Sequence, residues 1–150
     1  MSTIQIGDKI PTFSTIDQNE KVVTEANFKG QKTVLYFYPK DDTPTCTNQA
    51  CNLRDNYEQL ISAGYKVYGI SPDKAKKHQK FIAKYKLPFD LLVDEDHAIA
   101  DAFGVWGEKT TFGKTYMGIR RTTFVSDENA IVTEVIDQVK AKEHTNQILG

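Results

Sequence analysis

The chain of 150 residues has only two cysteines, a single tryptophan and five prolines. It also lacks a charge of one sign: 19 Lys and Arg stand against 20 Asp and Glu, a formal net charge of -1. That balance argues against a nucleic-acid or membrane surface, both of which call for a basic excess. No apolar run approaches the ~20 residues of a membrane-spanning helix. The opening stretch, MSTIQIGDKIPTFSTIDQNE, has no charged segment followed by an apolar one of the signal-peptide kind. We therefore expect a cytoplasmic protein, where thiols are kept reduced. No repeat, low-complexity tract or linker interrupts residues 1–150, so one domain is expected. At this length a core closes over roughly two thirds of the unfolded surface without a disulfide or a metal.

What is present is an alternation of strand and helix patterns. Thr12–Ile16 and Lys21–Thr24 flank the turn-like DQNE and predict a short N-terminal hairpin. Thr33–Tyr38 (TVLYFY) is a β-branched and aromatic run of the buried-strand kind. A helix is predicted from Thr43, with Leu53, Tyr57, Leu60 and Ile61 at helical spacing and Gly64 as its stop. Lys66–Ser71, a helix from Asp73 to about Tyr85, Leu91–Val93 and a short helix over Asp96–Phe103 follow. Ile119–Val125 and Ile131–Ile136 read as a hairpin, and Ala141–Leu149 as a last short helix. Strand–helix–strand–helix–strand followed by a hairpin is an α/β pattern. A right-handed crossover would set TVLYFY beside KVYGIS and place the loop after TVLYFY at the sheet edge where such folds build their sites.

Both cysteines lie in that loop and the helix after it, PKDDTPTCTNQAC. Thr43-Pro44 is a helix start: a capping side chain, then proline at the first helical position. On that count Cys46 is the third helical residue, among backbone N–H groups that lack intrahelical partners. A free thiol with a pKa of ~8.5 is only ~3% thiolate at pH 7. Making it ~90% thiolate takes ~3.4 kcal/mol, whereas a helix N-terminus supplies ~0.3–1 kcal/mol. A cation is needed as well, and Arg120 and Arg121 are the candidates. They sit in a predicted strand, so alternation lets only one of the two face the site.

On one regular helix Cys46 and Cys51 have Cα atoms ~8.6 Å apart and point ~140° away from each other. A disulfide needs converging Cβ vectors and Cα atoms within ~7 Å. The pair can bond only if the first turns of the helix unwind, which would be a redox switch. From spacing alone other roles for Cys51 stay open: an inert buried thiol, or a zinc ligand completed by His78, His97 or His144. Zinc is disfavoured by the five-residue step, and a thioredoxin-type C-x2-C site by the same step. A non-enzymatic redox sensor or binding module using the same switch also stays open.

The stretch resembles the active site of peroxiredoxins, P-x3-T/S-x2-C, filled by Pro39, Thr43 and Cys46. The Q-A-C that follows resembles the bacterioferritin comigratory protein (peroxiredoxin Q) subfamily. So do LRDNYEQL, GISPDK, FDLLVDEDH, FGVWGEK and GKTYMGIRRTTFVSD, along nearly the whole chain. The resemblance implies a thioredoxin-like α/β fold: three layers, α/β/α, with a central mixed β-sheet and an N-terminal β-hairpin. It implies a thioredoxin-dependent peroxidase acting on hydrogen peroxide and organic hydroperoxides. Cys46 would be the peroxidatic nucleophile and Cys51 the resolving cysteine. Thr43 would bond the peroxide, Pro39 would shield the site, and Arg121 would stabilise the sulfur, with Arg120 facing solvent. Thioredoxin or a similar dithiol protein would recycle the disulfide within a monomer. No cofactor or metal is implied. Thr45 stands where the family usually has glycine, with a modest effect on local mobility expected. Trp106 is expected to pack near the pocket, and Asp94, Glu95, Asp96 and His97 to form a solvated helix start.

Overall fold

The centre of the protein is a five-stranded mixed sheet. It is described by a computed structural model for residues 4–150. An N-terminal hairpin pairs β1 (Ser14–Ile16) with β2 (Val22–Thr24), with Ile16 opposite Val22. A 3-10 turn over Glu25–Phe28 leads into β3 (Lys32–Phe37). Then come helices α1 (Pro44–Asp55) and α2 (Tyr57–Ser62), strand β4 (Tyr65–Ser71), helix α3 (Ala75–Tyr85), strand β5 (Asp90–Val93) and helix α4 (Ala98–Ala102). A second hairpin, β6 (Trp106–Thr111) and β7 (Lys114–Ile119), precedes β8 (Thr122–Ser126), β9 (Val132–Ile136), a 3-10 turn at Ala141–Glu143 and α5 (His144–Leu149). The sheet order is β5-β4-β3-β8-β9. β4 runs parallel to both β3 and β5, while β8 is antiparallel to β3 and β9.

The β3 run TVLYFY is buried because both faces of a central strand are covered. Val34 and Tyr36, with Tyr38 beyond the strand, join a cluster with Cys46, Ala50 and Leu53 of α1, Leu60 of α2, Phe81 of α3 and Ile148 of α5. Leu35 and Phe37 alternate to the other face and meet Phe13, Val23 and Phe28 from the N-terminal segment and Ile99, Ala100 and Phe103 from the α4 region. The layers are thus α/β/α, the second outer layer being one short helix completed by the N-terminal hairpin. Among the described residues no helix is long and apolar enough to cross a membrane.

Three sequence expectations need correction. The helix expected from Thr43 to Gly64 is two helices. Asn56 breaks it (φ -116, ψ 17), and its side chain donates to the Asn52 carbonyl at 2.8 Å. Asparagine competes in this way with the main chain for the backbone's own bonds. The strand expected over Ile119–Val125 stops and restarts, leaving Arg120 and Arg121 outside both β7 and β8. The β6–β7 hairpin was not expected at all. Its two-residue turn places Phe112 (φ 53) and Gly113 (φ 76) in the left-handed region. Asn-Gly or Asp-Gly would have signalled such a turn, whereas phenylalanine gives no signal.

Two smaller expectations also change. Trp106 packs, but on the cluster across the sheet from Cys46, with its ring stacked 3.8 Å from that of His97. Asp94 is a buried cap and not a solvated one: its two carboxylate oxygens accept from the Ile99 and Ala100 N–H groups, both at 2.9 Å.

Gly69 in β4 is glycine for a packing reason. A Cβ there would lie 2.7 Å from Leu91 Cδ2, 2.8 Å from Tyr36 Cζ and 2.9 Å from Tyr36 Oη. Gly69→Ala should therefore destabilise the fold by roughly 1–3 kcal/mol, the usual cost of overpacking. Urea unfolding should show a lower midpoint at an unchanged slope; a midpoint equal to that of the parent chain would contradict the contact.

Candidate active site

Tyr38 continues the line of β3, its N–H donating to the Ile70 carbonyl at 3.1 Å, and the chain then leaves the sheet edge as Pro39–Thr43. Thr43 is the N-cap in extended backbone, and Pro44 opens α1. Cys46 is therefore in the first helical turn, as its spacing predicted. Its side chain packs inward with Ala50 and Leu53 and is 1% exposed. The Thr43 hydroxyl does not cap the helix; it donates to the Lys40 carbonyl at 3.1 Å. Pro39 is half-buried on the same loop, and Thr45 is exposed.

The expected cation is present. Arg121 donates from Nη1 and Nη2 to Cys46 Sγ at 3.3 and 3.4 Å. Two guanidinium N–H groups on one sulfur are the arrangement that favours a thiolate. Parity explains why Arg121 and not Arg120 does this. Thr123 and Val125 of β8 share the face of α1, and Arg121 lies two residues before Thr123. Arg120 is exposed and turns the other way, donating to the Gly104 carbonyl at 2.8 Å.

Two further residues of the site were not anticipated. Arg121 Nη1 also donates to Gln49 Oε1 at 2.7 Å. The Gln49 amide nitrogen lies 3.3 Å from His144 Nδ1, and His144 Nε2 lies 2.8 Å from Thr123 Oγ1. Gln49 and His144 are both fully buried. Each is a polar residue on an otherwise apolar helical stripe: Gln49 beside Cys46, Ala50 and Leu53, and His144 one turn before Ile148. That mismatch is the signal from which they were legible. The Tyr36 ring meets the His144 ring edge to face at 5.6 Å. Burial, and then the nearby charges of Asp41 and Cys46, push the Tyr36 phenol well above its ordinary value, so it stays protonated.

The acidic pair in PKDD ties the loop down. Asp41 is fully buried against His78 (Oδ2 to Nδ1, 2.6 Å) and accepts from the Tyr38 hydroxyl at 2.5 Å. His78 Nε2 faces the Leu92 carbonyl at 2.8 Å, which requires a proton on that nitrogen. The Asp41 N–H donates to Asp73 at 2.7 Å. Asp42 takes a left-handed backbone (φ 59) and accepts from Lys84 and Tyr85 of α3, both at 2.7 Å. The Lys84 ammonium, and then the Tyr85 hydroxyl, hold its carboxyl below the usual carboxylate range. Among the described residues, Asp41, Asp73 and His78 form the one group close enough to hold a metal ion, and neither cysteine belongs to it. Its atoms are engaged in the bonds just given.

Cys51 lies on α1 with Cys46, half-buried and unbonded to it. The next residue, Asn52, fastens the helix to the C-terminal segment. It donates to the Lys142 carbonyl (2.8 Å) and accepts from the Thr145 N–H (2.8 Å) and hydroxyl (3.3 Å).

His144 gives a pH signature. Burial, and then the Arg121 charge, push its imidazole down from 6.5 to about 3. In the unfolded chain this residue takes up a proton below 6.5, and in the fold only near 3. Its contribution is therefore complete above pH 6.5 and is lost as pH falls, at up to about 1.4 kcal/mol per pH unit. Asp42, with a lowered folded value, contributes its loss only below about pH 4. The urea midpoint should thus fall between pH 6.5 and 5, and His144→Asn should flatten that fall. Equal midpoints at pH 7 and 5 in the parent chain would contradict a buried neutral imidazole.

The AhpC/TSA family pattern matches residues 6–135. The chain is similar to the putative peroxiredoxin bcp of Haemophilus influenzae, 46% identical over 149 residues, covering 99% of this chain and 96% of that protein. Among solved structures, a mutant of Xylella fastidiosa PrxQ superposes with a TM-score of 0.91 at 31% identity, covering 99% of this chain and 95% of that one. Peroxiredoxin Q of Xanthomonas campestris gives 0.85 at 34% identity, covering 91% and 87%. Structures of the bacterioferritin comigratory protein from the same organism concern its alkyl peroxide reduction activity. The fold is that of the thioredoxin-like peroxiredoxins, and this chain belongs to the AhpC/TSA family and, within it, to the Bcp (peroxiredoxin Q) peroxiredoxins, which are thiol-dependent peroxidases.

Proposed function

We propose that the protein reduces hydrogen peroxide and organic hydroperoxides, with Cys46 as the peroxidatic nucleophile and Cys51 as the resolving cysteine. The contact of Arg121 with the Cys46 sulfur carries this reading. The Cys46 thiolate attacks the terminal oxygen of the hydroperoxide. The O–O bond breaks, the transferred oxygen keeps its hydroxyl proton, and the leaving oxygen takes a proton from solvent and departs as alcohol or water. Sulfur keeps the transferred oxygen as a sulfenic acid. The Arg121 guanidinium is placed to stabilise the negative charge that spreads over sulfur and both oxygens. Thr43, whose hydroxyl now sits on the Lys40 carbonyl, turns to the peroxide, and Pro39 keeps water from the sulfur.

Resolution then joins Cys51 to Cys46 with loss of water. Because both lie on α1, the helix must open. Asn52 holds its second half to the C-terminal segment, so the opening is confined to the turns before Asn52. Cys51 stays near its place and Cys46 moves to it. A dithiol protein of the thioredoxin kind reduces the disulfide by exchange. No second subunit is needed, which supports a monomer, and two free thiols suit a reducing, cytoplasmic setting. One five-stranded sheet with both faces covered supports reading the chain as a single domain.

Cys46→Ser should abolish turnover. Cys51→Ser should leave the first oxidation fast in stopped-flow and stop recycling by thioredoxin. Many NADPH consumed per protein through thioredoxin reductase and thioredoxin marks an enzyme, and one marks a sensor. Arg121→Lys keeps the charge but loses the two-pronged contact, and should slow the first oxidation roughly 10²-fold. Oxidation of reduced protein no faster than that of free cysteine would end this reading.

A further inference from the structure

The mechanism above leaves a buried imidazole without a role. We propose that His144 is a positioning residue for the reaction: through the Gln49 amide it fixes the Arg121 guanidinium on the Cys46 sulfur. The inference rests on Cys46 being the reacting thiol.

The order of donors and acceptors along this chain is forced from one end. A guanidinium can only donate. Gln49 must therefore turn its oxygen to Arg121, where the contact is 2.7 Å. Its NH2 group then faces His144 Nδ1 at 3.3 Å, and that nitrogen must be bare to accept. A neutral imidazole with a bare Nδ1 carries its proton on Nε2, which faces the Thr123 hydroxyl oxygen at 2.8 Å. The shift of this imidazole to about 3 agrees with the neutral form. Arg121 is the charged side chain that bears on it, with the protonated Tyr36 phenol packed edge to face.

Without the imidazole, Arg121 alone is left to order the Gln49 amide. Its NH2 would lie in a dry site with no acceptor, at a position that is 0% exposed. The amide gains by turning that group elsewhere, and the turned amide presents donors to the donors of Arg121. The guanidinium then loses its second anchor and its fixed aim at the sulfur. A single hydrogen bond from a helix near the C-terminus thus reaches Sγ through two side chains. Thr123 holds the far side of the ring and fixes its plane, with Nδ1 toward Gln49.

The test separates this role from simple packing. His144→Phe keeps ring volume and removes the acceptor, whereas His144→Asn restores an acceptor near Nδ1. The reduced proteins are alkylated with iodoacetamide between pH 5 and 9, which requires no peroxidase activity. His144→Phe should shift the midpoint of the Cys46 profile upward and slow alkylation roughly three- to tenfold at pH 6, with the plateau at pH 9 unchanged. His144→Asn should stay within about twofold of the parent, and Gln49→Leu with His144→Phe should be no worse than Gln49→Leu alone, since a residue acting through another is not additive with it. Thr123→Val, a milder change, should shift the profile in the same direction and serves if the phenylalanine variant does not fold. Superposition of the His144→Phe and Thr123→Val profiles on the parent, equal shifts in the asparagine and phenylalanine variants, or additive effects with Gln49→Leu would overturn the assignment. Failure of the parent to reduce peroxide would instead strike the catalytic reading and leave these profiles to decide the positioning on their own.

Discussion

The contact of Arg121 with Cys46 organises the rest of the structure. A buried thiolate is costly unless a cation meets it, and a half-buried guanidinium is better placed when its donors are used. Each satisfies the other, and Gln49 takes a further donor of the same group. The sheet makes the meeting possible. β3 delivers the helix start at its C-terminal end, and the neighbouring antiparallel β8 starts level with it, with Thr122 opposite Phe37. The residue just before β8 is thereby delivered to the same edge. The parallel β3–β4 pairing, the antiparallel β3–β8 pairing and the aromatic packing beneath Tyr36 all hold that edge in register.

Much of this was legible locally. Thr43-Pro44 marks a helix start from two adjacent residues, and the place of Cys46 follows by counting. Alternation left Arg120 and Arg121 as the two candidates, the family resemblance pointed to Arg121, and in the structure Arg121 meets the Cys46 sulfur although neither arginine lies in a strand. The parity of Thr123 and Val125 extends backward through them, which is why one of the pair faces the site. What failed depended on distant or unusual partners. Gln49 and His144 are 95 residues apart, and neither carries a local motif. The two aspartates of PKDD gave no sign of their partners on α3, 37 and 42 residues away. The β6–β7 hairpin escaped because its strands are largely exposed and a phenylalanine turns the corner, so neither apolar alternation nor turn chemistry announced it. The break at Asn56 escaped because the apolar spacing runs on through it.

The tethers around α1 are unevenly placed, and the placement suits a helix that must hold and then open. Before it, Asp41 and Asp42 fasten the loop to α3. Behind it, Asn52 makes three bonds to the C-terminal segment. Between them, among the described residues, the side-chain hydrogen bonds of residues 44–51 are those of Cys46 and Gln49 alone, and both lead to Arg121. The side-chain bonds that hold the stretch that must unwind run to one cation, Arg121, and one imidazole, His144.

That concentration gives oxidation a direct mechanical consequence on the mechanism proposed above. While sulfur is a thiolate, two charge-assisted bonds from Arg121 pin the first turn in its helical place. Oxygen transfer replaces the thiolate with a neutral sulfenic acid, and those bonds weaken to ordinary ones of about half the strength. A short helical turn is marginal by itself, because few bonds are closed for the dihedrals fixed. Discharging the sulfur therefore removes the main restraint on the turn at the moment when Cys51 must be reached, while Asn52 keeps Cys51 close by. Nucleophile activation and helix retention are one interaction, so the chemistry that consumes the first also releases the second.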